Sequence, residues 1–188
     1  MLRSDASRNR SQLIESACRL IAEAGSDEVS ARDIADYAGV STATLYRHFT
    51  SKQALVDEIS VDRWRRATGW VRDDVARPAL QEIVTVFDRF SRMVSSDAQF
   101  ISAAGLQVGR TPTAIGPVRR LFDERLSELW ARARSQGEIR SWADPVDTME
   151  LVWAIRNQER RLPMLATVLS GIAAPDSDID GMLRRARS

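Results

Sequence analysis

Thr42–Lys52 reads TATLYRHFTSK and holds the only His (His48) and the only Lys (Lys52) of the 188 residues. The remaining 26 of the 27 basic residues are all Arg. Just upstream stands Ala38-Gly39-Val40-Ser41. Gly39 tolerates the backbone of a tight turn, and Ser41 has a hydroxyl suited to cap the helix that follows. The spacing predicts a short helix from about Thr42 to Phe49, with Leu45 and Phe49 on one anchoring face. Thr42, Ala43, Tyr46 and Arg47 fall mostly on other faces and are available to a partner.

Working outward, the chain reads as all-α. Leu13, Ala17, Leu20, Ile21 and Ala24 form one helical stripe, which predicts a helix from about Ser7 to Ala24, ended by Gly25. Ser30 and Asp33 fit a capping box opening a second helix, whose inward face is Ile34, Ala35 and Ala38. Three helices with a Gly turn between the second and third form a helix-turn-helix pattern. Ser51 starts a longer helix, about Lys52 to Asp74, with Leu55, Val56, Ile59 and Trp64 inward. Further helices are expected from Pro78 to about Ser95, Asp97 to about Gly109, and Pro117 to about Gln136, the last ended by Gly137. Asp144-Pro145 is a strong start signal. The helix it opens is expected to kink near Arg161 because of Pro163. A last helix, about Asp176 to Ala186, has acids first and Arg184, Arg185 and Arg187 last, which suits the helix dipole.

A major groove admits one helix, and small side chains let that helix approach base edges closely. Thr42 and Thr44 are suited to hydrogen-bond bases, and Ala43 or a Thr methyl to contact a thymine methyl. Tyr46, His48, Thr50 and Lys52 suit phosphate oxygens, which fix register without reading sequence. Lys52 also stands at a helix start, where free backbone N–H groups favour an anion. The net charge of +1 gives no broad attraction to nucleic acid. Residues 1–75 carry 11 Lys/Arg against 12 Asp/Glu, so any affinity must come from local placement.

These residues carry a resemblance. Ile34-Ala35, Ala38-Gly39-Val40-Ser41, Leu45-Tyr46-Arg47-His48-Phe49, Ser51-Lys52 and Ala54-Leu55 together are similar to the DNA-binding signature of TetR-family transcriptional regulators, without a gap from about Arg10 to Leu55. A second echo lies in Gly137-Glu138-Ile139-Arg140 and Asp144-Pro145. The resemblance implies an all-α homodimer with an N-terminal three-helix helix-turn-helix domain (1–52), a linking helix (about 52–74) and a C-terminal helical ligand-binding and dimerisation domain (75–188). It implies base contacts by Arg32, Thr42, Ala43, Thr44 and Tyr46, and phosphate contacts by Tyr46, Arg47, His48, Thr50 and Lys52. Many members carry Lys-Gly where this chain has Thr42-Ala43, and Pro or Lys where it has Thr50. The implied function is a repressor released from a palindromic double-stranded DNA operator by an unknown small-molecule effector.

For the ligand the candidates are Phe87, Phe90, Met93, Phe100, Trp130 and Trp153, which suit either a cavity or a packed core. Arg110, Arg156 and Asn157 are the polar candidates. The resemblance places the dimer interface on the last long helices, so Leu165, Val168, Leu169 and Ile172 are the choices there. Arg3, Arg8 and Arg10 read as a frayed, solvated terminus rather than a minor-groove arm. Cys18 reads as a small core residue. With one Cys and one His, neither a disulfide nor a His/Cys metal site is expected, and no cofactor is implied. There is no nucleophile–base pair and no Gly-rich phosphate loop, so an enzyme is not expected. No signal peptide or membrane span is read, which predicts a cytoplasmic protein. The competing reading is a dimeric small-molecule-binding or interaction module that keeps the helix-turn-helix only as structure.

Overall fold

The computed structural model describes residues 2–24, 28–72, 74, 76–96 and 115–187, with side chains from residue 8 on except at residue 96. The elements there are α1 (Leu2–Ala24), α2 (Ala31–Tyr37), α3 (Thr42–His48), α4 (Lys52–Thr68), α5 (Ala79–Ser96), α6 (Gly116–Ser135), α7 (Pro145–Trp153), α8 (Arg161–Ile172) and α9 (Ile179–Arg187). The expected stop at Gly25 and the expected helix from Asp97 lie outside the described residues, as do Phe100 and Arg110. The fold is all-α, with a helix-turn-helix at its N-terminal end and a helical bundle at its C-terminal end. It divides into two compact units, and the boundary falls inside α4, between Arg63 and Trp64. The expected linker helix therefore belongs to both units.

The first unit closes on Leu13, Ala17 and Ile21 of α1, Val29, Ile34 and Ala35, Leu45 and Phe49, and Leu55 and Val56 of α4. The anchors read from the sequence are thus in the core, each contributing about 1.5–3 kcal/mol when a large apolar side chain is fully buried. Ala24, expected on the stripe, is exposed instead, and Leu20 is half-buried. α1 is helical from Leu2. Arg10 ion-pairs with Glu58 of α4, and its guanidinium lies 5.1 Å from the Phe49 ring centroid. That cation–π contact holds Arg10 in the unit rather than in a free arm. Cys18 is half-buried, with its sulfur 4.0 Å from Arg63 Nη2.

In the second unit α5 is the central element. Ala79, Leu80, Ile83, Val84, Val86, Phe87, Phe90 and Val94 are all buried. α7, α8 and α9 pack against it. Its N-terminus is closed by Glu138, whose Oε2 accepts from Leu80 N at 2.7 Å. Gly137, at φ +72°, lets the chain leave α6 in the left-handed conformation and brings Glu138 to that position. The adjacent Ile139 forms a lone antiparallel bridge with Ala173 at the end of α8. The Gly137–Arg140 turn therefore joins three helices, which explains why its spacing stands out in the sequence.

A buried ion-pair network fixes α8 on α5. Arg161 Nη1 donates to Asp88 Oδ1 at 2.7 Å and to Ser91 Oγ at 2.8 Å. Arg92 Nη2 covers the other Asp88 oxygen at 2.6 Å.

Two helix boundaries differ from expectation. α4 ends at Thr68, where Thr68 Oγ1 donates back to the Trp64 carbonyl and Gly69 begins a turn. The helix that opens on Asp144 stops at Trp153 instead of running to a kink near Arg161. Pro163 lies in the first turn of the next helix, where its missing N–H has no partner to lose. It therefore starts a helix and does not bend one.

Candidate nucleic-acid interface

The local chemistry of residues 30–52 builds a rigid outward helix. Ser30 and Asp33 form both arms of a capping box: Asp33 N donates to Ser30 Oγ at 3.1 Å, and Ser30 N to Asp33 Oδ2 at 2.8 Å. The hydrogen bonds from Ser30 hold the Asp33 carboxyl below its ordinary pKa. After Ala38 the chain turns through Gly39 at φ +67°, a region costly for a residue with a Cβ. Val40 N then returns to Ala35 O at 3.0 Å, which fixes the angle between α2 and α3. Ser41 caps α3 by accepting from Thr44 N at 3.1 Å.

Leu45 is fully buried and Phe49 nearly so, which leaves the opposite side of α3 outward. Ala43, Tyr46 and Arg47 are exposed there, at the i, i+3 and i+4 spacing of one helix face. Tyr46 keeps 52% of its surface, so it does not fold back against α1. Thr42 is half-buried and Thr50 exposed. Arg32, at the start of α2, is also exposed, with a loose i,i+4 pairing to Asp36 at 3.6 Å. Such an exposed pair contributes little to stability and leaves the guanidinium available.

Three expected contacts have a more constrained setting. Thr44 is half-buried, and its hydroxyl lies 3.0 Å from Ser41 Oγ, so part of its hydrogen-bonding capacity serves the cap. Lys52 is half-buried and its Nζ donates to the Val29 carbonyl at 2.9 Å, tying the start of α4 to the loop before α2. His48 is half-buried, its ring 6.4 Å from that of Phe49. Its Nε2 is buried with no hydrogen-bond partner among the described residues. A phosphate contact through that atom requires the ring to turn. The Lys52 and His48 settings were not legible from spacing, because both depend on side-chain direction or on a residue far away in sequence.

The expected ligand residues are mostly packed on one another. Phe87, Phe90 and Trp130 are fully or almost fully buried. The Phe87 and Trp130 rings meet edge-on at 6.0 Å, and the Trp130 indole N–H donates to the Ala143 carbonyl at 3.0 Å. Trp64 and Phe122, not among the ligand candidates, complete a second cluster. Trp64 lies 5.3 Å from Phe122, 5.8 Å from Phe90 and 6.3 Å from Trp153. Arg119 stands 4.6 Å from the Trp64 centroid, and Arg156 stands 5.6 Å from that of Trp153. Burial lowers the Arg156 pKa from its ordinary value. Met93 and Trp153 are half-buried, whereas Asn157 is exposed and its Oδ1 accepts from Arg160 N.

Of the residues expected at a dimer interface, Leu165, Leu169 and Ile172 are buried in the second unit. Val168 alone of the four keeps some surface. Among the described residues no group of three or more His, Cys, Asp or Glu could hold a metal ion. No described helix is long and apolar enough to cross a membrane.

Comparison with known proteins falls on the same elements. Residues 13–59 match the family model described as bacterial regulatory proteins, tetR family. The HTH-type transcriptional repressor KstR2 of Rhodococcus jostii (strain RHA1) is 46% identical over 56 residues, which is 30% of this chain and 28% of that protein. The chain thus matches little more than a quarter of that relative's length. The tetracycline repressor protein class D of Escherichia coli is 25% identical over 182 residues, 95% of this chain and 78% of that protein. The crystal structure of a TetR transcription regulatory protein from Mycobacterium vanbaalenii superposes with a TM-score of 0.64 at 28% identity, over 93% of this chain and 100% of that one.

Proposed function

We propose that this chain, whose residues 13–59 match the tetR family model, is a homodimeric, ligand-responsive transcriptional regulator that binds a palindromic double-stranded DNA operator. The observation that carries this reading is the outward face of α3, with Ala43, Tyr46 and Arg47 exposed over a backbone locked by two caps and a Gly turn. In the proposed complex α3 enters the major groove. Thr42, Ala43, Thr44 and Tyr46 meet base edges, with Arg32 beside them. Tyr46, Arg47 and Thr50 hold phosphates, and so does Lys52 with the donors that its bond to Val29 leaves. His48 joins them once its ring turns. The family match over residues 13–59 covers this region, and the 46% identity over 56 residues to a named repressor supports DNA binding rather than mere retention of the fold.

Dimerisation is assigned to exposed apolar side chains on α7 and α8. Val146 and Leu151 keep 58% and 57% of their surface and Met164 keeps 38%. Val168 adds to them. Large exposed apolar side chains of this kind mark association surfaces when they gather on one part of a molecule. Repression relieved by a ligand is supported by the likeness, over nearly the whole chain, to a repressor named for tetracycline. A ligand acts here only by binding one conformational state better than another.

The test is selection of bound duplexes from a random library by the purified protein. The reading expects an inverted repeat to be enriched, and expects Thr42→Lys to change the enriched sequence. Recovery of unrelated sequences by the unaltered protein would favour the competing interaction module.

A further inference from the structure

A half-open cleft of about 820 Å³ lies in the second unit, between the turn after α4 and one face of α6. Val71 and Arg72 line it from the turn, and Arg125, Glu128, Leu129 and Arg132 from α6. The α6 positions recur at i, i+3, i+4 and i+7, so they form a single stripe. On an ordinary bundle helix that stripe would be apolar throughout. Here Leu129 is buried, at 3% exposure, and guanidinium groups flank it along the helix in both directions.

The charges in the cleft do not cancel. Arg132 is engaged from behind by Glu82, with Nη2 2.8 Å from Oε2. Glu128 is the one carboxylate among the lining residues named above, against Arg72 and Arg125, and both arginines are exposed. Arg125 makes a long contact of 3.4 Å to the Thr68 carbonyl, and Arg72 has no hydrogen-bond or ion-pair partner among the described residues. A cleft with an excess of one charge concentrates the field and draws in the opposite ion. Its volume falls within the range of about 300–1,000 Å³ usual for small-molecule sites. The guanidinium fork matches a carboxylate in two parallel hydrogen bonds. Val71 and Leu129 offer an apolar floor beside that charge.

We propose that this cleft, rather than the aromatic cluster, binds the effector, and that the effector is a small organic carboxylate held by Arg72 and Arg125 over Val71 and Leu129. The word effector rests on the regulator reading above, whereas binding itself does not. Octanoate is the probe, titrated calorimetrically into the full chain, with octanol and inorganic phosphate as separate arms. Saturable binding of octanoate is expected, weakened about tenfold or more by each of Arg72→Ala and Arg125→Ala. Both side chains are exposed, so these variants keep the fold, and Arg120→Ala on α6 is expected to bind as the unaltered chain does. Octanol is expected not to bind, since the charge is what the two arginines recognise. The proposal is overturned by no saturable octanoate binding up to about 10 mM, by undiminished binding in the double variant, or by phosphate binding as tightly as octanoate. Octanoate binding by a chain that selects no operator would sink the regulator reading and leave the cleft assignment standing.

Discussion

Replacing Arg161 with Met removes the central donor of a buried network while keeping most of the side-chain volume. Arg161 Nη1 serves Asp88 Oδ1 at 2.7 Å, Ser91 Oγ at 2.8 Å and the Asp88 carbonyl at 3.3 Å. The Asp88 side chain is completely buried. Removing one partner of a buried pair typically costs about 3–5 kcal/mol, mostly because the other charge is left uncompensated. Arg92 still holds the second Asp88 oxygen at 2.6 Å, so the lower end, about 3 kcal/mol, is expected. For a chain of this length that lowers the melting temperature by about 6–12 °C. Thermal unfolding measured at one fixed protein concentration checks this, since association would otherwise shift the midpoint. The double variant Asp88→Leu with Arg161→Met removes both charges and is expected to recover most of the loss. A loss below about 1 kcal/mol for Arg161→Met, or a double variant less stable than either single one, would refute the reasoning.

Gly39→Ala meets no atom within 4 Å of the new Cβ, so its cost is backbone strain alone, about 1–2 kcal/mol by denaturant unfolding, with Gly39→Asn costing less. Glu82 has its pKa raised above 4.5 chiefly by burial, against the pull of Arg132. The folded state therefore keeps that proton to higher pH than the unfolded chain does, and the stability tied to this group declines as pH rises from about 4.5 through the folded value. Glu82→Gln abolishes this term, so the stability difference should move toward the variant as pH rises across that window; a difference independent of pH would contradict it. Lys52→Met keeps the stem and loses the bond to Val29, at a cost of about 1 kcal/mol, and should make the log–log salt dependence of DNA binding shallower by about one. Lost stability with an unchanged salt slope would make Lys52 a structural tie only.

The helix-turn-helix was legible because its determinants are local. Ser30 with Asp33, Gly39, Ser41 and the Leu45–Phe49 spacing each act within a few residues, and each acts as expected in the structure. The C-terminal sites were not legible to the same degree. Helical spacing shows that Leu165, Leu169 and Ile172 are buried but not against what, and they face their own unit. Phe87, Phe90 and Trp130 have the same composition whether a cavity or another ring lies beside them. Pro163 is ambiguous in the sequence because a proline that kinks a helix and one that opens a helix differ only in where the preceding segment ends, and α7 ends at Trp153. The cleft escaped because Arg125, Glu128 and Arg132 read as an ordinary solvated face until the turn bearing Arg72 is placed beside them.

The most direct test of the central claim compares equilibrium binding of the purified protein to its selected operator and to a scrambled duplex, at one salt concentration. Specific recognition by α3 predicts a preference for the operator of about 10³-fold or more. It also predicts that Tyr46→Ala weakens operator binding far more than scrambled binding. Equal affinity for the two duplexes, with Tyr46→Ala without effect, would contradict the account.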